Sequence, residues 1–129
     1  MSNNVVSSTV NLNMAKIAQL NNAKTIALEK AAEAFKTEVV IAQVMPFDTG
    51  TLQNSSTYVD NSTSALGVSK LVSSTPYARR LYFHPEFNFS KAENPNAQGK
   101  WYEPFITGQY SQFAKQAFVQ FYKSEGGLL

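Results

Sequence analysis

Between Asn13 and Val44 the chain has neither glycine nor proline, and Ala, Lys, Glu and Leu dominate. These residues lose little freedom in a helix, so the stretch favours one long helical run. Ile17, Leu20, Lys24, Ala27, Ala31, Phe35 and Ala42 recur at three- and four-residue spacings, with Leu28, Ala32 and Val39 on the adjoining stripe. That periodicity predicts an amphipathic helix, with Asn13 as its N-cap and Pro46 ending it. About thirty helical residues are roughly 45 Å long, more than a body of about 14 Å radius of gyration can cover. The helix must therefore break, for instance at Asn21-Asn22, or project one end. A projecting Ala-rich end wants a neighbouring copy to lie against.

The rest of the chain reads differently. Its 129 residues suit one domain. Residues 1–12 are rich in Ser, Asn and Thr and form a flexible N-terminal arm or one short strand. Residues 13–129 are expected to form a single α+β domain. Asp48-Thr49-Gly50-Thr51 is a turn and cap signal. Ser56 to Val59 and Leu66 to Val72 read as strands of a hairpin over 56–74, joined by a five-residue turn from Asp60 to Ser64. Thr75 and Pro76 mark a short helix as N-cap and first position, and Pro85 closes it. On it Tyr77, Leu81 and His84 share one face, with Arg79 beside Phe83 on another. Residues 86–100 form a polar loop, and loops of that length in a small domain generally carry function or lack order. A second amphipathic helix runs from Gln109 to about Ser124, turning Tyr110, Phe113, Ala117, Phe118, Phe121 and Tyr122 inward, and Gly126-Gly127 ends it. Of 16 aromatic residues only Phe35 and Phe47 precede Tyr58, which centres the expected core on the C-terminal part. The fold class predicted is thus α+β: long N-terminal and C-terminal helices packed on a small antiparallel hairpin.

Composition narrows the function. Charged residues are 16% of the chain, below the usual quarter or so, while Ser, Thr, Asn and Gln number 41. A neutral polar surface is cheaper to desolvate against a partner than a Lys/Glu-rich one. The net charge of +2 comes from 11 basic and 9 acidic residues, far from the basic stripe of a dedicated nucleic-acid binder. There is no cysteine, which removes disulfides and thiolate metal sites. The first residues lack a basic region followed by an apolar run, so no signal peptide is read. No stretch approaches the length of a membrane span, and no membrane partner is expected.

Catalytic chemistry has little to work with. His84 is the only histidine. Its neighbour Glu86, and Asp48, Asp60 and Glu103, are the carboxylates that can approach it, but a packed or capping role is the simpler reading. Gly50, Gly67, Gly99 and Gly108 are isolated and build no phosphate loop. The chain is read as non-enzymatic, with no catalytic residue, cofactor or metal. Tyr77, Arg79, Arg80 and Tyr82 with Lys100, Trp101 and Tyr102 interleave cations with aromatics, the composition that grips single-stranded nucleic acid. Such arginines also pair with Glu86 or Glu103, or reach a neighbouring subunit.

Three phrases carry a resemblance: Pro46-Phe47-Asp48-Thr49-Gly50-Thr51-Leu52-Gln53-Asn54-Ser55, the run from Thr75 to Pro85, and the run from Asn94 to Phe105. In order, and over roughly positions 14–125, they resemble the small minor capsid and head–tail joining proteins of long-tailed bacteriophages and prophages. Phe83-His84-Pro85 stands where many of these have an acidic residue and Gly, which favours the minor capsid branch of Gram-positive hosts. The resemblance implies a structural subunit of the virion neck, made in the bacterial cytoplasm. It implies a homo-oligomeric ring that meets other connector and tail proteins and touches passing DNA non-specifically at most. The candidate intersubunit residues are Arg79, Arg80, Phe87, Phe89, Lys100 and Trp101, with the long helix beside them and the hairpin tip, Asn61 to Ser64, as a lumenal contact. For Trp101 two readings stand side by side: an anchor closing this chain's core, or a ring that docks on the next subunit. A small nucleic-acid-binding or regulatory phage protein is the alternative function.

Overall fold

The computed structural model describes residues 8–47 and 50–128. The arm's first seven residues, and Asp48 and Thr49 of the expected turn and cap, lie outside the described residues. Helix α1 spans Met14–Ile41 without a break, and Asn13 is its N-cap, the side chain accepting from the Lys16 amide at 3.0 Å. The helix stops before Pro46. Gln43 takes a left-handed conformation, φ 56°, while the Ala42 amide still bonds the Glu38 carbonyl. That position usually belongs to glycine, so the stop is set by backbone geometry ahead of the proline.

The long helix neither breaks at Asn21-Asn22 nor stands alone. Ala23, Ala27 and Ala31 are buried, a four-spaced seam of small side chains that lets a second helix come close. That helix is α4, Phe113–Glu125 (α2 and α3 are described below), lying antiparallel to α1. Its far end is tied by Lys16 Nζ donating to the Gly126 carbonyl and by the Lys30–Glu125 ion pair. Gly126 caps the helix and Gly127 turns left-handed at φ 67°, as the paired glycines predicted. In the first turn of α1, Met14 and Ile17 are exposed.

Beyond α1, one turn of π-helix over Thr51–Ser55 leads into β1, Thr57–Asp60, which pairs antiparallel with β2, Lys70–Ser73. Thr57 faces Ser73 and Asp60 faces Lys70. The hairpin is present, but its connection is longer than five residues. Ser64–Leu66 forms a 3-10 turn, so Leu66 and Val68 leave the strand and are exposed. Side chains hold that excursion: Ser64 Oγ donates to Glu29 of α1 at 2.6 Å, Thr63 Oγ1 to the Val68 carbonyl, and Ser69 Oγ to Asn61. The Ser62 hydroxyl and amide donate to Asp60, which lowers that carboxyl's pKa.

Helix α2 is Ala78–Tyr82, shorter than predicted. The Thr75 carbonyl, not its hydroxyl, takes the Ala78 amide in a turn, and the buried Oγ1 of Thr75 has no partner. Tyr77, rather than Thr75, is therefore the N-cap. A further short helix, α3 at Glu103–Ile106, precedes α4. It displaces the start of α4 from Gln109 to Phe113, because the Tyr110 amide bonds the Pro104 carbonyl and the Tyr110 ring stacks on Phe105 at 4.9 Å. The core is Val39, Val44, Met45, Leu52, Ala78, Trp101 and Phe105. Four of the seven, Val39, Val44, Met45 and Leu52, precede Tyr58, so the core is shared between the end of α1 with the segment after it and the C-terminal part, rather than centred on the latter. The aromatics of α4 are half-buried, and no residue of that helix is fully enclosed.

Candidate functional site

The face built by α2 and the segment after it collects most of the candidate residues. On α2 the guanidinium of Arg79 lies 5.9 Å from the Phe83 ring centre, and that of Arg80 lies 5.5 Å from Phe87. Phe87 stacks in turn on His84, with ring centres 4.8 Å apart and planes 8° from parallel, and Phe89 follows at 6.4 Å. His84 Nδ1 is 2.7 Å from Glu86 Oε1. The hydrogen bond from His84 holds the Glu86 carboxyl below the ordinary glutamate range. Glu86 is therefore engaged locally, and among the described residues no carboxylate forms an ion pair with Arg79, Arg80 or Lys100. Expected pairing of the arginines with Glu86 or Glu103 is not made. Each guanidinium rests one face on a ring and keeps its N–H fork available, an arrangement suited to a carboxylate or phosphate.

Loop 86–100 has no helix or strand, but it is tied down rather than loose. A Cβ on Gly99 would come within 2.6 Å of the Pro85 Cα, so the loop's end presses against its beginning where only glycine fits. Asn94 is buried, and its Nδ2 donates to the Met45 carbonyl at 2.9 Å and to Gln53 Oε1 at 2.8 Å. The Gln98 amide donates to the Val44 carbonyl and Asn96 Nδ2 to the Ala42 carbonyl. Three of these bonds fasten the loop to the segment leaving α1 and the fourth to Gln53, and the buried Met45 carbonyl would otherwise be left unpaired. Phe89 closes a cleft of about 600 Å³ with Phe47, Leu52, Tyr77 and Leu81. Lys100 is exposed with φ 48°, its amide bonded to the Tyr82 carbonyl at 2.8 Å.

Trp101 does not belong to this surface. It is 1% exposed and packs edge-on to Tyr82 at 4.8 Å within the core. A ring enclosed by its own chain cannot dock on the next subunit, so the interface reading of Trp101 gives way to the core anchor. Its Nε1 is buried without a partner. Beside it, burial first and the charge of Glu103 next raise the Tyr82 phenol. The other candidates, Arg79, Arg80, Phe87, Phe89 and Lys100, remain at or near the surface.

Of the carboxylates proposed near His84, Glu86 is there; Asp60 instead serves the hairpin turn and Glu103 accepts from Thr107, while Asp48 lies outside the described residues. Among the described residues no three or more His, Cys, Asp or Glu side chains are placed to hold a metal ion, and no helix is long and apolar enough to cross a membrane. The loop clamp built on Asn94 and Gln53 was not singled out from sequence. An Asn before Pro reads as a turn residue, and only the fold reveals that it is enclosed. Comparison with family models, with curated proteins and with solved structures returned no match.

Proposed function

We propose that this chain is a non-enzymatic structural subunit of the head–tail connector region of a long-tailed bacteriophage or prophage, working as one member of a ring. The observation that carries the proposal is the ordered set of three phrases resembling minor capsid and head–tail joining proteins. The fold supports it in one respect: the phrases, far apart in sequence, meet around one core. Leu52 comes from the first, Ala78 from the second, and Trp101 and Phe105 from the third. Four of the seven core residues thus come from these phrases. The exposed Arg79 and Arg80, without carboxylate partners among the described residues, suit contact with acidic groups of a neighbouring subunit. Heterologous contacts of this kind, repeated about an axis, close a ring whose two faces bridge head and tail.

The test is deletion of the gene from an inducible phage genome. The expected result is filled heads and separate tails that do not join, restored by the gene in trans. Normal yields of complete, infectious particles would refute the proposal.

A further inference from the structure

An apolar groove of about 380 Å³ runs between α1 and α4, bounded by Leu28, Ala31, Phe35, Leu71, Ile106 and Phe118. No charged residue lines it, and Ile106 at its rim is 60% exposed. The segment leading into α1 has matching chemistry. Val10 and Leu12 are 79% and 67% exposed in a stretch without helix or strand, and residues 1–13 carry no charged side chain. Alternate residues of an extended segment project to the same side, so an arm that extends on docking turns Val10 and Leu12 to one apolar face. Neutral arm and neutral groove meet without desolvating a charge.

The arm cannot fill its own groove with these residues. Fully extended, Val10 lies at most about 14 Å and Leu12 about 7 Å from Met14. Leu28, at the near edge of the groove, is about 21 Å up the α1 axis. We propose that Val10 and Leu12 dock into the α1–α4 groove of a second copy of this chain. The arm leaves one end of α1 and the groove lies farther along it, so donor and acceptor surfaces differ. The contact is therefore head-to-tail, and each copy offers one arm and one groove. This rests on the ring reading above for closure of the chain of contacts, but not for the pairwise contact itself.

The absence of cysteine makes the test clean, since an introduced pair is the only source of a disulfide. Full-length Leu12→Cys and Ile106→Cys chains, carrying different tags, are mixed at high concentration under mild oxidation. Mixed dimers should exceed, by about tenfold or more, those from Leu12→Cys with Ile26→Cys, a site on α1 outside the groove. Adding Val10→Asp to the Leu12→Cys chain should remove the excess; the arm lies outside the core, so folding is not at stake. Equal yields with Ile106→Cys and Ile26→Cys would overturn the proposal and assign the groove to another occupant. So would an excess indifferent to Val10→Asp. Specific cross-linking by a chain that proves dispensable for head–tail joining would leave the arm contact standing and remove the virion reading. The reverse pair of results would do the opposite.

Discussion

Replacing Trp101 by alanine separates the core role of this ring from an interface role. An enclosed tryptophan removes about 150–250 Å² from water, worth roughly 4–6 kcal/mol at 25 cal/mol/Å² as an upper bound. Large-to-alanine changes in cores cost about 3–5 kcal/mol. Part of that loss is returned here, because the Nε1–H is buried without a partner and deleting it relieves a desolvation cost of about 1–3 kcal/mol. The net expectation for Trp101→Ala is a loss of about 2 kcal/mol, a large share of the roughly 5–15 kcal/mol that holds such a domain together. With a urea m-value of about 2 kcal/mol/M, the midpoint falls by about 1 M. Trp101→Phe deletes the unpaired N–H and keeps most of the ring, so its loss should be about 1 kcal/mol or less. Far-UV circular dichroism is the assay, because Trp101 is the only tryptophan and its removal abolishes the usual fluorescence signal. An alanine variant whose midpoint stays within about 0.3 M of the parent, with self-association lost, would assign the ring to an interface and not to the core.

Three further outcomes follow from the same geometry. Asn94→Asp takes a donor away from the Met45 carbonyl and Gln53 and places a carboxyl among acceptors, so its folded-state pKa rises above the unfolded value. The variant should be destabilised near neutral pH and recover as pH falls through that raised pKa, read by urea titration across pH; a loss independent of pH would contradict it. Gln43→Gly should stabilise by about 0.5–1 kcal/mol, because glycine adopts the left-handed helix-stop conformation without the Cβ penalty; a lower melting temperature would count against that account of the stop. For Glu86 the hydrogen bond from His84 depresses the folded-state pKa, so its stabilisation is present above the unfolded-state pKa and lost as pH falls through the folded one. Carbon-detected NMR should show the Glu86 midpoint rising toward the ordinary value in His84→Ala, and an unchanged midpoint would show that the contact is not formed in solution.

What could be read in the sequence was what local chemistry decides. Absence of Gly and Pro, together with Asn13, placed α1 within a few residues at either end, and Gly126-Gly127 placed the end of α4. The hairpin was legible from its β-prone residues, but its loop was not. Ser64 reaches Glu29, 35 residues earlier in the chain, and that long-range bond draws out residues that alternate like a strand. Thr75 likewise had the look of a cap, and a carbonyl turn took the amide it would have bound. For the candidate surface, Arg79 beside Phe83 followed from helical spacing, whereas Arg80 over Phe87 depends on how the chain turns at Pro85. Trp101 was undecided for a physical reason: a large aromatic serves equally as core or as hot spot, and only enclosure by partners distant in sequence distinguishes them.

We propose that this chain occupies one ring of the virion neck. The most direct test is quantitative peptide mass spectrometry on density-purified particles, counting this chain against the major capsid protein. A low, fixed copy number consistent with a single ring is the predicted result; intact particles that lack the chain altogether would contradict it.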